Sequence, residues 1–302
     1  MSRNRRSRTN WLGPILVALI VTAVAWTVSE RVPNIPVPSS GTTSSTLPVA
    51  AASATHTIVE LGIPALSADR DQRLLVDLDS GSSTKLVVPK GWRMSSLNSI
   101  ADVSLVPFGE GYKLSGTDWD IVLRRENGQL FIEPQLLGLL DPTKAIVIAR
   151  VSAAREILLV NRSGGIRKLA DLPENANVLG LADGSIWLST YIPGEGIENE
   201  PHGPSKLVRI NADASQVVEA TSDSVINRVT ATYGYTAYGT EGGTYRVVEA
   251  ADWTGQGMPL LWLPGSRLLI VRGTSLFILD GKTEKRVSGA LPGEPEAAVV
   301  VE

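Results

Sequence analysis

From Ile58 onward, apolar runs of four to seven residues alternate with short polar segments built around Gly, Asp, Asn and Ser. The sharpest example runs from Arg267 to Leu291. There the runs RLLIVR and SLFILD and the polar-alternating TEKRV are separated by Arg272-Gly273-Thr274 and Asp280-Gly281-Lys282. Val, Ile, Leu and Phe suit a pleated, buried surface, and Gly beside Asp or Thr supplies the positive φ of a tight hairpin turn. The pattern predicts a three-strand antiparallel meander. No stretch beyond Ile58 carries the 3.6-residue periodicity of a long amphipathic helix.

Weaker copies of this meander recur. Strand–turn–strand units begin at Leu74, Asp120, Glu156, Lys206, Thr244 and Ser275, with turns centred near Ser80, Asn127, Ser163, Ala212, Ala251 and Gly281. The turns are spaced by about 40 residues on average, the span of one four-stranded propeller blade, although single spacings range from about 30 to about 49. The most complete unit reads NVLGLA from Asn177 as an innermost strand and Asp183-Gly184 as a two-residue turn. SIWLSTY, KLVRIN and SQVVEA follow as the second, third and outermost strands. The expectation is an all-β chain forming a single β-propeller of six four-stranded blades, with five or seven as the neighbouring solutions. Ile58-Val59-Glu60-Leu61 and Ala298 to Val301 are the strands expected to pair and close the ring.

Two segments carry a family resemblance. Asp183-Gly184-Ser185-Ile186-Trp187-Leu188-Ser189-Thr190 resembles the DG-x-x-W-x-G-T signature of two-component-regulator-type sensor propellers, with Ser189 at the Gly position. Gly239-Thr240-Glu241-Gly242-Gly243-Thr244-Tyr245 resembles the GT-x-x-G-L half that follows it in that family. Here the halves fall in successive units, and the resemblance spans about a quarter of the chain. It implies the propeller superfamily and, through the family, an extracellular sensor domain.

The first 57 residues differ in texture. Residues 1–10 hold Arg3, Arg5, Arg6 and Arg8 and no acid, and read as a basic cytoplasmic tail. Thr9 to Ser29 is free of charge. At 1.5 Å rise per residue, the apolar run Trp11 to Val28 spans about 27 Å, close to the hydrocarbon core of a bilayer, with Trp11 and Trp26 near its ends. Residues 11–29 are therefore expected to be an uncleaved transmembrane signal anchor. Cleavage after Ala25, within Ala23-Val24-Ala25, is the rival reading. Residues 30–57 intersperse Pro33, Pro36, Pro38 and Pro48 with Ser and Thr and are expected to form a disordered linker. Positive charge before the anchor places the N-terminus in the cytoplasm and the propeller, residues 58–302, outside the cell membrane.

Composition narrows the chemistry. The 302 residues contain no Cys, which excludes disulfides, thiolate metal sites and cysteine nucleophiles. Two histidines, His56 and His202, exclude mechanisms that need a His cluster, and His56 reads as a solvated linker residue. A net charge of −3 argues against nucleic-acid binding. No P-loop or nucleophile elbow is present, and no cofactor is expected.

Candidate recognition residues cluster in the long insertion Ile192 to Ser205 (IPGEGIENEPHGPS), which holds Glu195, Glu198, Glu200 and His202. Its density of acids points to a basic partner, or to Ca²⁺ or a transition metal, with the identity of any metal left open. Pro193, Pro201 and Pro204 limit its conformations and so lower the ordering cost of binding. Trp187 joins the candidates because Trp favours binding hot spots, although Trp92, Trp119, Trp187, Trp253 and Trp262 spread one per unit also suit packing between blades. The pairs Asp118/Asp120 and Asp69/Asp71 are the acids a hydrolase would draw on, and Asn161-Arg162-Ser163 matches a glycosylation sequon. The combined expectation is a non-enzymatic, membrane-tethered binding or scaffold module for an extracellular protein or glycan. An extracytoplasmic hydrolase or lyase with acids in the channel, and a sensor domain, are the alternatives.

Overall fold

The computed structural model of the chain describes residues 56–64, 71–88, 103–125, 127–192, 201–232, 234–287 and 289–301. They belong to the compact unit Ala54–Glu302. The described residues form 23 strands in six antiparallel sheets, five of four strands and one of three. Strands β1 (Ile58–Ile63), β2 (Gln72–Asp77) and β3 (Ser83–Leu86) begin sheet 1. Sheet 2 holds β4 (Ser104–Phe108), β5 (Gly111–Gly116) and β6 (Trp119–Val122). Sheet 3 runs β7 (Ile132–Asp141), β8 (Lys144–Val151), β9 (Ala154–Asn161) and β10 (Ile166–Leu172). Sheet 4 runs β11 (Ala176–Ala182), β12 (Ser185–Ile192), β13 (His202–Ile210) and β14 (Gln216–Ser222). Sheet 5 comprises β15 (Ile226–Thr232), β16 (Tyr235–Thr240), β17 (Thr244–Val247) and β18 (Thr254–Gln256). Sheet 6 comprises β19 (Met258–Leu263), β20 (Arg267–Arg272), β21 (Ser275–Asp280) and β22 (Thr283–Arg286). The last strand, β23 (Ala297–Val301), returns to sheet 1 and pairs with β1.

All six turns expected from the sequence join the third strand of a sheet to its outer edge. Those near Ser80, Ser163, Ala212, Ala251 and Gly281 link regular strands, and the one near Asn127 closes a single bridge. The Arg267–Leu291 meander is β20, β21 and β22. Its apolar runs follow from burial on both faces. Leu268, Leu269, Ile270 and Val271 of β20 are fully buried, as a strand lying between two neighbouring sheets must be, whereas every residue of the outer strand β22 is exposed. The same gradient holds in sheet 3, where Ala145–Ala149 of β8 and Ile157–Val160 of β9 are buried.

The first strands of successive sheets are neighbours: β4 with β7, β7 with β11, β11 with β15, β15 with β19, and β19 with β23. This order is consistent with a six-bladed propeller. The expected pairing of the chain ends is present, with Val59 opposite Val300, Glu60 opposite Val299 and Leu61 opposite Ala298.

Three sequence expectations need correction. Among the described residues sheet 2 has no regular fourth strand, and the bridge between Arg124 and Leu130 stands in its place. Only Phe131 separates Leu130 from the start of β7, too little chain to continue a ladder. The insertion in sheet 4 is shorter than Ile192–Ser205, because β12 extends through Ile192 and β13 begins at His202, with Ile192 opposite His202 beyond a bulge. The third concerns Trp187, taken up below. The two halves of the sensor-type resemblance occupy different sheets. Asp183-Gly184 turns β11 into β12 with both residues at positive φ, while Glu241-Gly242-Gly243 turns β16 into β17. The expected tail, anchor and linker (residues 1–10, 11–29 and most of 30–57) lie outside the described residues. Among the described residues no helix is long and apolar enough to cross a membrane.

Candidate functional site

The residues singled out from the sequence lie partly beyond what the structure describes. Glu195, Glu198 and Glu200 lie outside the described residues, and His202 begins β13. Trp187 is 2% exposed, packs with Leu207, Ile226 and Tyr238, and donates from Nε1 to the Ala182 carbonyl at 3.0 Å. It offers no open face to a ligand, because a strand with two covered faces buries its largest side chain. Trp119 and Trp262 are buried in the same way, and Trp262 donates to the Thr230 carbonyl at 3.1 Å. Trp253 stacks on Tyr235 with ring centroids 5.9 Å apart. Of the aspartates considered for hydrolysis, Asp118 is paired with Arg162 at 3.1 Å and Asp120 with Lys113 at 2.6 Å, and Asp69 lies outside the described residues. Asn161 ends β9 beside an open cavity of about 430 Å³ that it shares with Thr143, Arg162 and Ser163.

His56, Asp77 and Asp79 bring three potential metal-ligating atoms within 4.8 Å of one another. Their hydrogen bonds explain the cluster without an ion. Asp77 accepts from the Asp79 and Ser80 amides and from the Ser80 hydroxyl, and lies 2.9 Å from His56 Nδ1. Asp79 accepts from the Thr57 amide at 2.9 Å. The Ser80 hydroxyl foremost, then these amides and His56, bring the Asp77 carboxyl down to about 2. The arrangement is an Asx-type turn that folds the β2–β3 hairpin and ties the entering chain to it.

A more distinctive feature lies between sheets 2 and 3. A cavity of about 680 Å³ is walled by Arg124, Arg125 and Phe131 from the shortened edge of sheet 2 and by Glu156, Leu158 and Lys168 from β9 and β10. Glu156 is the pivot. Its side chain is 9% exposed, and its two oxygens take Arg125 Nη2 at 2.7 Å and Lys168 Nζ at 3.2 Å. Lys168 also bonds Asp171 at 2.6 Å. Asp171 foremost, then Glu156, hold its ammonium above the ordinary lysine value against the opposing effect of desolvation. The Arg125 guanidinium lies over the Phe131 ring at 5.7 Å. A buried carboxylate with two cationic partners is a fixed device, since loss of either partner would leave charge in a poorly solvated place. Such a site can hold an anionic group against a partly apolar floor.

Both halves of the cavity were visible in the sequence only as repeat units, DIVLRRENGQLFI and EILLVNRSGGIRKLADL. The available signal was the Arg124-Arg125 doublet beside an unusually short return to the next sheet.

No protein-family model matches the chain, and no curated protein matches it in sequence. Among solved structures it is similar to TolB from Acinetobacter baumannii, with a TM-score of 0.45 and 12% sequence identity, over 81% of this chain and 66% of that one. The described residues form six antiparallel sheets, with a charged cavity between two of them.

Proposed function

We propose that the chain is a non-enzymatic protein-binding module, a six-bladed β-propeller held outside the cell membrane by residues 11–29 and the linker 30–57. The charged basis of the anchor is the arginine cluster before an uncharged apolar run. The propeller reading is supported by six sheets in chain order, neighbouring first strands, and a last strand that pairs with the first. The recognition site in this reading is the cavity between sheets 2 and 3, and the observation that carries it is Glu156 holding Arg125 and Lys168 in place. Groups preset in this way lose little freedom when a partner arrives.

The test is site-specific cross-linking of the full-length protein in its native membrane. A photoreactive residue at Asn127, on the cavity rim, should capture a protein that the same residue at exposed Lys282 does not. That protein, purified, should bind the purified chain. Equal capture at both positions would count against the cavity, and turnover of a substrate by the purified chain would count against a binding role.

A further inference from the structure

We infer that the cavity takes an acidic segment of a partner protein, seating a carboxylate against Arg124 and Arg125 with an apolar side chain beside the exposed edges of Phe131 and Leu158. The inference rests on the binding reading above and adds the chemistry of what is bound.

Charge is the first reason. The chain as a whole is acidic, at −3, yet the described walls of the cavity hold three cations and a single carboxylate. A local cationic surplus on an acidic protein selects an anionic group.

Donor capacity is the second. Glu156 engages Arg125 through Nη2 alone, and a guanidinium carries five N–H donors in a planar fork. The remaining donors match the two oxygens of a carboxylate. Arg124 is exposed at the bridge to Leu130, and among the described residues its guanidinium has no carboxylate partner. Lys168 is less available, because Glu156 and Asp171 already share its ammonium. The two arginines therefore form the open part of the anion site, and Glu156 acts by holding Arg125 in position.

The floor decides between sources of carboxylate. Phe131 and Leu158 line the cavity with only the small part of each side chain that stays exposed, 6% and 2%. The wall's one carboxylate is committed to two cations, so it has little left to accept from sugar hydroxyls. An acidic glycan would bring several hydroxyls and find few acceptors, at a desolvation cost. An acidic residue beside Leu or Ile on an extended peptide places its charge and its apolar neighbour on groups that match both.

The experiment uses the full chain in detergent micelles and end-capped, fluorescently labelled peptides that alternate Glu with Leu. Gln–Leu and Lys–Leu peptides, phosphate and an oligo-glucuronate serve as comparisons. The Glu–Leu peptide should bind and move the amide resonances of Gly164, Gly165 and Lys168. Arg124→Glu should weaken it about ten-fold, the loss of one charge-assisted contact, and Arg124→Gln should weaken it less. Both variants should keep the unfolding temperature of the parent, since Arg124 lies outside the core. Raising salt from about 0.05 to about 0.5 M should weaken binding as well.

Equal affinity of the Gln–Leu peptide, with the same resonances moving, would overturn the acidic preference and leave the cavity as a binding site. Tighter binding of the oligo-glucuronate would overturn the protein segment in favour of a glycan. Binding of phosphate alone with the same dependence on Arg124 would reduce the site to a simple anion site and overturn the apolar part. No movement of the cavity amides with any probe would overturn both this inference and the assignment of the cavity.

Discussion

The Tyr245 hydroxyl donates a 2.7 Å hydrogen bond to Glu284, joining β17 of sheet 5 to β22, the outer strand of sheet 6. Glu284 is also paired with Arg272 at 2.9 Å, and Arg272 reaches the Gln256 carbonyl at 2.7 Å and lies over the Phe277 ring. Apolar packing between sheets is thus fastened near the rim by a polar knot. Tyr245 is almost wholly buried, and burial foremost, then Glu284, pushes its hydroxyl well above the ordinary tyrosine value.

Tyr245→Phe keeps the ring and removes the bond, leaving Glu284 with Arg272. The expected loss is about 1–2 kcal/mol of unfolding free energy, read from denaturant midpoints. In the parent protein the raised value contributes stability that is complete below the ordinary tyrosine value of 10.0 and is lost as pH rises beyond it. The parent should therefore lose stability between pH 10 and 12 more steeply than Tyr245→Phe. Parallel curves would remove Tyr245 from the account.

Gly239 of β16 faces β19 of the next sheet at close quarters. A Cβ there would lie 2.8 Å from Pro259 Cδ and 2.9 Å from Met258 Cε. Gly239→Ala should cost about 1–3 kcal/mol through overpacking. Gly242→Ala, whose added Cβ would meet its nearest atom at 3.7 Å, is the control and should change the thermal midpoint little.

Asp77 offers a pH test. The Ser80 hydroxyl, then the turn amides, hold its carboxyl at about 2. A depressed carboxyl contributes stability above its ordinary value of 3.8, lost as pH falls through about 2. Carboxyl carbon resonances should place the Asp77 midpoint near 2, and Ser80→Ala should move it upward. An unmoved midpoint in that variant would remove the hydroxyl as the leading cause.

Closure of sheet 1 by β23 predicts a strong effect of truncation. Ending the chain at Glu296 removes Ala297–Val301 and exposes the inner edge of β1, including the buried Val59 and Leu61. Each lost ladder bond costs about 0.5–1.5 kcal/mol. Unfolding should become less stable by several kcal/mol and lose cooperativity. A β23 peptide supplied in trans should recover part of the loss, and full stability of the truncated chain would show that closure contributes little.

How much of this was legible beforehand depended on the range of the interactions involved. Turns are local: Asp183-Gly184 and Asp280-Gly281 announce themselves because only a few residue types accept their backbone angles, so strand positions and the six outer turns follow from neighbouring residues alone. The unbroken apolar runs of β8, β9 and β20 already imply burial on both faces. Even the pairing of Ile58–Leu61 with Ala298–Val301 was readable, since two unpaired apolar strands at the ends of a repeat have few other partners. What only the tertiary structure decided is what lies across the gaps between sheets. The even spread of the tryptophans already favoured packing between blades, but only the structure shows Leu207, Ile226 and Tyr238 around Trp187. The cavity depends on Arg125 meeting Glu156 thirty-one residues away, on a different sheet. No local preference encodes that meeting. It arises where the described part of sheet 2 ends after three strands, and the packing of whole sheets then determines which charges face each other across the space beside it.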